Sequence, residues 1–397
     1  MNSPIVPVVV VSQDGPNPLG IARALGRVGI PVFLFSTGKT RLLKCSRYIK
    51  SIVENPSLGN LEGTREHFEN ILEKILHLGY TSRPILMFTN EAHYQSFYPL
   101  KDYLNDRFLL MTPFEKVISL TEKHQQFPYA EQAGFRNLPL MVLKSPKDLD
   151  TLESSLCFPV IVRPNSLQTK GGFNEKTSLY ENLSQMKSHL FPILSQEGVE
   201  LLAQEYVPGS DKDVLVFMAS CGDEGEPRAW VSGRKWRQIP PGRGLMASGV
   251  AENIPEFVEK SKELCRLLGV RGFVGIECKR NTVTNELVYI EASLRTDAFN
   301  GLCLAAGMNL VLDAYMARLG QPCGITQKQS FAGSWVCFQY DLDAAKTMIF
   351  QKQLTWSSFL RPLPRPIYYA YFAWDDPLPF VFHFSKTIAQ KIFCWFK

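Results

Sequence analysis

The residues best placed to do chemistry lie in one segment, GFVGIECKRNTVTNELVYIEASLR, residues 272–295. Two runs rich in Val, Ile, Phe and Tyr flank a polar turn, the pattern of a β-hairpin. Side chains alternate faces along a strand, so Glu277 and Lys279 share one face of the first strand. Glu291, Ser293 and Arg295 share a face of the second. With the turn centred near Thr284, Glu277 and Glu291 come to lie opposite each other. Facing carboxylates repel unless positive charge neutralises them. A hard cation does this, and Mg²⁺ in particular favours a few carboxylates combined with phosphate oxygens. Arg295 suits a phosphate or acyl-phosphate. A solvated hairpin face with scattered charges is the alternative, and the apolar runs, which read as buried on their other face, count against it.

Upstream elements must position this hairpin. Residues 1–115 alternate strand and helix. IVPVVVVS is a strand, and Asn17-Pro18 then caps a helix through LGIARALGRVG, closed by Gly29. IPVFLFS is the second strand, a helix covers Glu66 to Leu78, and PILMFT is the third strand. Asn90-Glu91 sit at its C-terminal end, where open α/β sheets bind ligands and where a helix can also start. SQDGPNPLG lacks G-x-G-x-x-G spacing, which argues against a dinucleotide oxidoreductase. From residue 116, LTEKHQQFPYAEQAGF reads as an amphipathic helix with Lys123 in its first turn. The strand FPVIVRP projects Arg163 at its end. A glycine loop, NSLQTKGGFNEK, contains Gly171 and Gly172, whose backbone N–H groups could close over phosphates. A helix near Leu179 to Leu190 precedes the strand–turn–strand LLAQEYVPGSDKDVLVFMAS. RAWVSGRKWRQIP is a further strand, with Lys235 and Arg237 on one face and Arg234 on the other. A helix from Glu256 to Leu268, capped by Asn253 and Gly269, leads into the acidic hairpin.

In this order, Lys123, Arg163 with its glycine loop, QEYVPGSDKD and the acidic hairpin resemble the ATP-grasp superfamily over about residues 1–320. The likeness is strongest to carboxylate–amine ligases of the D-aspartate ligase and carbamoyl-phosphate synthetase sort. The resemblance implies an α/β architecture: a Rossmann-like domain over 1–115 and an ATP-grasp domain over 116–320, with ATP held between lobes 116–203 and 204–320. Residues 321–397, rich in Trp, Phe and Pro, read as a small appended subdomain. It also implies roles. Lys123, Arg163, Gly171 and Gly172 would contact the phosphates, and Gln204, Glu205, Tyr206 and Val207 would form the adenine hinge. There Glu205 would accept from the adenine amine through its carboxylate or its carbonyl. Asp213, or else Asp211, would take the ribose. Glu277, Glu291 and Ser293 would hold Mg²⁺, with Mn²⁺ as an alternative. Lys235, Arg237 and Arg295 would serve the acyl-phosphate, Arg237 and Arg295 as a carboxylate clamp. The chain departs from the family at Ser293, since E-A-S-L-R replaces the usual E-x-N-x-R. The activity implied is ATP-dependent ligation of small carboxylate and amine substrates, releasing ADP and phosphate. A nucleotide-binding regulatory protein with reduced catalysis is the alternative.

Composition sets limits. The 397 residues are 45% apolar and 20% charged, as in an ordinary globular protein. A net charge of +5 is too weak for a nucleic-acid partner but suits anionic substrates. The nine cysteines include no C-x-x-C pair, which reads as reduced thiols in a cytoplasmic protein without a zinc site. The apolar run from Ile5 to Val11 lacks a basic flank and a cleavage site, so it reads as a strand rather than a signal peptide. No apolar run is long enough to span a bilayer. Residues 380–397 interleave Phe, Ile and Trp with Lys386, Lys391 and Lys397. They read either as a final packed helix or as a peripheral contact at the inner face of a membrane. Oligomeric state is open, with a homodimer one candidate.

Overall fold

The computed structural model describes residues 5–55, 59–165, 173, 177–322, 330–361 and 363–385. Its strands form three sheets. The first holds β1 (Val8–Ser12), β2 (Val32–Ser36), β3 (Ile49–Glu54), β4 (Ile85–Phe88) and β5 (Leu109–Leu110), all parallel, in the order β3-β2-β1-β4-β5. Every residue of β1, β2 and β4 is buried. This is why they read as unbroken apolar runs: a parallel sheet is covered on both faces. β3 does not appear in the sequence reading, because its IKSIVE is a half-exposed edge strand without that signature. Two helix starts also differ. Helix α1 (Pro16–Gly26) begins at Pro16, a residue whose ring already has helical φ. Asn17 Nδ2 is thereby free to donate to the Thr296 carbonyl, 2.8 Å away. Helix α2 (Leu61–His77) begins five residues before Glu66, with the Asn60 side chain accepting from Gly63 N.

The second sheet is antiparallel: β6 (Leu140–Leu143), β7 (Val160–Pro164), β8 (Ser178–Tyr180) and β9 (Leu201–Glu205), in the order β6-β9-β7-β8. The stretch read as a helix from Leu179 is first β8. The helix starts at Leu183, after the Asn182 cap, and runs to Leu194. Met186, Leu190 and Ile193 pack it on Val160, Val162 and Ala203, so this lobe has a core of its own.

The third sheet has seven strands: β10 (Val214–Cys221), β11 (Pro227–Ile239), β12 (Leu245–Ala251), β13 (Gly272–Arg280), β14 (Leu287–Ser293), β15 (Ser334–Val336) and β16 (Ile367–Tyr369). Their order is β14-β13-β10-β11-β12-β15-β16. β15 and β16 extend the same sheet as the acidic hairpin, so residues 334–369 are part of this lobe rather than a separate appendage. The helix Pro255–Leu268 packs Phe257, Leu264 and Cys265 on the sheet. Its N-cap is Ile254, not Asn253, and Gly269 closes it at φ +60, a left-handed turn that suits glycine. Lys123 stands in a 3₁₀ turn, Lys123–Gln126, followed by a short helix, Phe127–Gln132.

One continuous apolar core joins the first and third sheets, from Phe35, Phe68 and Phe97 through Phe127 to Phe217, Phe257 and Tyr289. Residues 371–376 add a polar staple between them. The buried Asp376 carboxylate accepts from Arg23 Nε (3.0 Å), Ser46 Oγ (2.8 Å) and Arg47 N (3.0 Å). Asp375 pairs with the Arg27 guanidinium at 2.8 Å and accepts from Tyr48 Oη at 2.6 Å. These donors, Arg27 first, hold the Asp375 carboxyl well below the usual range.

Removing one partner of a fully buried pair strands the other charge. Arg23→Ala should therefore cost about 3–5 kcal/mol in urea unfolding. Arg27→Ala breaks a half-exposed pair and should cost no more than about 1 kcal/mol. Equal effects would show that burial of Asp376 is not the controlling term.

Candidate active site

β13 and β14 pair antiparallel with Glu277 directly opposite Glu291, and the register shifts by one residue just beyond Glu277. Each carboxylate takes a lysine from a different part of the chain. Lys235, 3% exposed on β11, donates to Glu277 at 2.7 Å, to Gln238 Oε1 at 3.1 Å and to the Gly244 carbonyl at 3.2 Å. Lys123 donates to Glu291 at 2.6 Å. Arg163, at the end of β7, lies 3.9 Å from Glu291 and is anchored by the Ile290 carbonyl at 2.7 Å. Its buried Nε has no hydrogen-bond partner. Burial raises the Glu277 carboxyl above the usual carboxylate range. The Lys235 ammonium opposes that rise, and the charge of Glu291 reinforces it. Ser293 lies opposite Gly275, on the same face of β14 as Glu291.

These groups line a cleft of about 590 Å³ that all three sheets enclose. That volume suits a small-molecule ligand. From the second sheet come Ile161, Arg163, Gln204, Glu205, Tyr206 and Val207. The parallel sheet presents Ser12, Thr89, Asn90, Glu91 and His93 from its strand ends. Asn90 caps the helix α3 (Glu91–Phe97), and Glu91 reaches Arg295. Glu91 therefore both starts a helix and faces the cleft. Arg295 Nε donates to Glu91 at 2.5 Å, and its Nη1 donates to Asp297 at 3.3 Å and to the Thr296 carbonyl at 3.0 Å. Burial alone would lower its pKa, but Glu91 and Asp297 raise it. Arg295 is thus available to an anion only in competition with two carboxylates.

Several residues expected at the site lie elsewhere. Arg237 does not share a face with Lys235. Bulges on both sides of Arg237 turn its guanidinium outward, where it pairs with the buried Asp341 through two bonds of 2.7 and 2.6 Å. It cannot clamp a carboxylate together with Arg295. Asp211 is buried away from the cleft and accepts from Gln238 N (2.8 Å), Gln238 Nε2 (2.9 Å) and Gly242 N (2.6 Å), which fixes the Pro/Gly loop. Asp213 caps its own turn through Ser210 N at 2.7 Å and Ser210 Oγ at 2.9 Å. Neither aspartate borders the cleft. The Glu205 carboxylate accepts from Cys157 N at 2.8 Å, so it is engaged within the protein. Gly171 and Gly172 lie outside the described residues.

Other cleft residues had no role assigned to them from the sequence. Lys279, buried beside Glu277, donates to the Gly209 carbonyl (2.9 Å) and Tyr206 Oη (3.2 Å). Burial lowers its pKa to about 8. Strand alternation already put it on the face of Glu277, and that was the signal for it. Gln126 pins the end of β14, accepting from Tyr289 Oη and Ala292 N and donating to the Ala292 carbonyl. His93 faces the cleft with Nε2 3.1 Å from Thr37 Oγ1. Burial, aided by the charge of Arg295, lowers its pKa to about 4.

No protein-family model matches the sequence, and no curated protein matches it either. Solved structures do match in fold. The ADP complex of purK, N5-carboxyaminoimidazole ribonucleotide synthetase, aligns over 83% of this chain and 81% of its own, at 13% identity and TM-score 0.62. The biotin carboxylase domain dimer of Hydrogenobacter thermophilus 2-oxoglutarate carboxylase, in complex with MgADP, ADP and bicarbonate, aligns over 84% and 74%, at 13% identity and TM-score 0.61. L-amino acid ligase from Bacillus licheniformis aligns over 80% and 75%, at 13% identity and TM-score 0.56. At such identities the likeness is one of fold, and the chain has the ATP-grasp fold.

The geometry separates two neighbouring cations. Arg237→Ala should lower stability by about 3 kcal/mol, since it strands Asp341, and leave nucleotide affinity in calorimetry within about twofold. Lys235→Ala should weaken nucleotide binding by about tenfold or more. The reverse pattern would put Arg237 back at the site.

His93 gives a pH dependence with a definite sign. Between about pH 6.5 and 4 the unfolded chain takes up a proton that the folded chain refuses, so stability is lost as pH falls through this window. Wild type should lose about 2 kcal/mol between pH 7 and 5 that His93→Gln does not lose. Parallel profiles in urea unfolding would show that His93 is not the group responsible.

Proposed function

We propose that the chain is an ATP-dependent carboxylate–amine ligase that forms an amide through an acyl-phosphate and releases ADP and phosphate. The observation that carries this reading is the facing pair Glu277 and Glu291, bracketed by Lys123, Arg163 and Lys235 in the cleft that the three sheets enclose. Among the described residues, the cleft is lined by six Lys and Arg and six Asp and Glu. What suits a polyphosphate is therefore the local convergence of Lys123, Arg163 and Lys235 on the carboxylate pair, not a net excess of positive charge. The ATP-grasp fold supports the same reading, as do the printed ligands of its structural neighbours, ADP and MgADP.

Mg²⁺ fits the donor set. Glu277, Glu291 and Ser293 offer only oxygen, and among the described residues no cluster of three or more His, Cys, Asp or Glu side chains could cage a metal without a ligand's help. A few carboxylates completed by nucleotide phosphates is the usual Mg²⁺ arrangement. When bound, the ion would neutralise charge on the transferring phosphoryl group.

In the proposed reaction a substrate carboxylate oxygen attacks the γ-phosphorus of ATP, and the bond to the ADP oxygen breaks. The amine nitrogen then attacks the acyl carbon, phosphate leaves, and the nitrogen loses a proton. Lys123, Arg163 and Lys235 hold the phosphates and offset the charge that develops on them, so catalysis rests on positioning and electrostatics. No side chain need act as a covalent nucleophile. Cys278, next to Glu277, is fully buried in the core on the opposite strand face. The second reading, a nucleotide-binding regulatory module, draws on Ser293 in place of Asn and on the engagement of Arg295 by Glu91 and Asp297.

A screen of ADP release against paired amino acids, peptides and other carboxylates separates the two. The ligase reading expects release that needs both an acid and an amine, and ATP binding with no turnover across the panel would favour the regulatory one. Glu277→Gln and Glu291→Gln should each lower turnover by about a hundredfold or more without unfolding the protein. Near-normal turnover in either variant would remove the metal assignment. Ser293→Asn should retain or tighten Mg²⁺ affinity, and Ser293→Ala should weaken it. An Ala variant equal to wild type would mean that water occupies that position.

A further inference from the structure

Apart from the cleft, the most unusual surface lies near the end of the chain. Trp374 is 89% exposed, and Tyr369, Leu378, Val381 and Phe384 are exposed as well. They form one patch. Tyr369 contacts Phe372 edge-on at 6.2 Å, Phe372 contacts Trp374 at 4.8 Å and Phe380 at 5.5 Å, and Phe380 stacks on Phe384 at 5.7 Å. Residues 378–385 are helical. The inner side of this helix is satisfied, with Phe382 packed on the core and His383 stacked on Tyr371 at 3.9 Å. Its outer side is apolar, with Leu378, Val381 and Phe384 at three-residue spacing. A surface helix ordinarily shows water the opposite character. The preceding loop is held in place, because Asp375 and Asp376 point inward to Arg27 and Arg23 while Trp374 points out.

Charge identifies the occupant. No acidic residue occurs between Asp343 and Asp375, or after Asp376. Residues 343–397 hold seven Lys and Arg against Asp343, Asp375 and Asp376, a net +4, and Lys346 is paired with Asp343. Asp375 and Asp376 are paired with arginines of the first domain, so they do not offset this charge at the surface. Lys352, Arg361 and Arg365 are exposed. A second copy of the chain would bring like charge to the patch. So would residues 386–397, which hold three lysines and no acid. A segment that carries exposed Trp and Phe together with lysines and arginines that lack an acidic neighbour in sequence has the composition that suits the interface of an anionic bilayer, where rings lie at headgroup depth and basic groups meet lipid phosphate.

We propose that the surface formed by Tyr369, Phe372, Trp374, Leu378, Val381 and Phe384 docks the protein on an anionic lipid bilayer. Among the described residues no helix is long and apolar enough to cross a membrane, and the contact proposed is with the surface. The inference is independent of the ligase reading.

The test is sedimentation of the full chain with vesicles of mixed phosphatidylglycerol and phosphatidylcholine, and with phosphatidylcholine alone. The full chain should partition onto the anionic vesicles, weakly or not at all onto the neutral ones, and less as salt rises and screens the charge. The double variant Trp374→Ser/Phe384→Ser should lose about tenfold or more in partitioning at unchanged melting temperature. Each of Arg361→Gln and Arg365→Gln should lose roughly fivefold. Absence of binding by the full chain, or equal binding by the double variant, would overturn the proposal. It also falls if truncation after Ser385 lowers the melting temperature while the full chain ignores vesicles, since the terminal segment would then cover the patch. A concentration-dependent dimer that Trp374→Ser abolishes would assign the patch to a second copy and overturn it as well.

Discussion

Two carboxylates that face each other across adjacent strands are the constraint around which the rest of this molecule is arranged. At the separation of a cross-strand pair, like charges in a partly buried setting cost several kcal/mol unless they are balanced. Glu277 and Glu291 are balanced by Lys235 from β11 and by Lys123 from the segment that links the first two sheets, with Arg163 of β7 just beyond. The second sheet and the third therefore meet electrostatically at one point. That point is the floor of the cleft.

Two of the four apolar cores among the described residues bear on this arrangement. One runs without a break from the parallel sheet to the acidic hairpin, and the Arg23–Asp376 staple reinforces it from the far end of the chain. The lobe that holds Arg163, Gln204 and Glu205 has a core of its own on one face of its sheet, and on the other face Leu202, Leu140 and Val142 pack on the larger core. Polar groups that converge on the cleft without a full set of partners, such as Arg163 Nε, are the part of the structure left for a ligand.

Much of the site was legible because it rests on local rules. A period of two along the hairpin put Glu277 across from Glu291 and Lys279 beside Glu277, and the observed register agrees. The apolar runs of β1, β2 and β4 could be read because both faces of a parallel sheet are buried. Arg237 was misread because alternation holds only while the strand is regular, and two bulges reset its face. Asp211 and Asp213 stand in a polar turn with nothing in their spacing to reveal an inward direction. Asp211 turns inward because Gln238 and Gly242, about 30 residues later, present three donors to it.

Side-chain alternation and the order of charged residues along the chain are properties of the sequence, and they determined that a paired-carboxylate hairpin follows a lysine, an arginine and a strand–turn hinge. The membership of β15 and β16 in the hairpin's own sheet, the engagement of Arg295 by Glu91 and the exposure of the aromatic patch around Trp374 were decided only by tertiary structure. Glu91 and Arg295 are 204 residues apart, and Arg23 and Asp376 are 353 apart. Partnerships over such distances depend on which surfaces the packed cores bring together, and no local period along the chain encodes that.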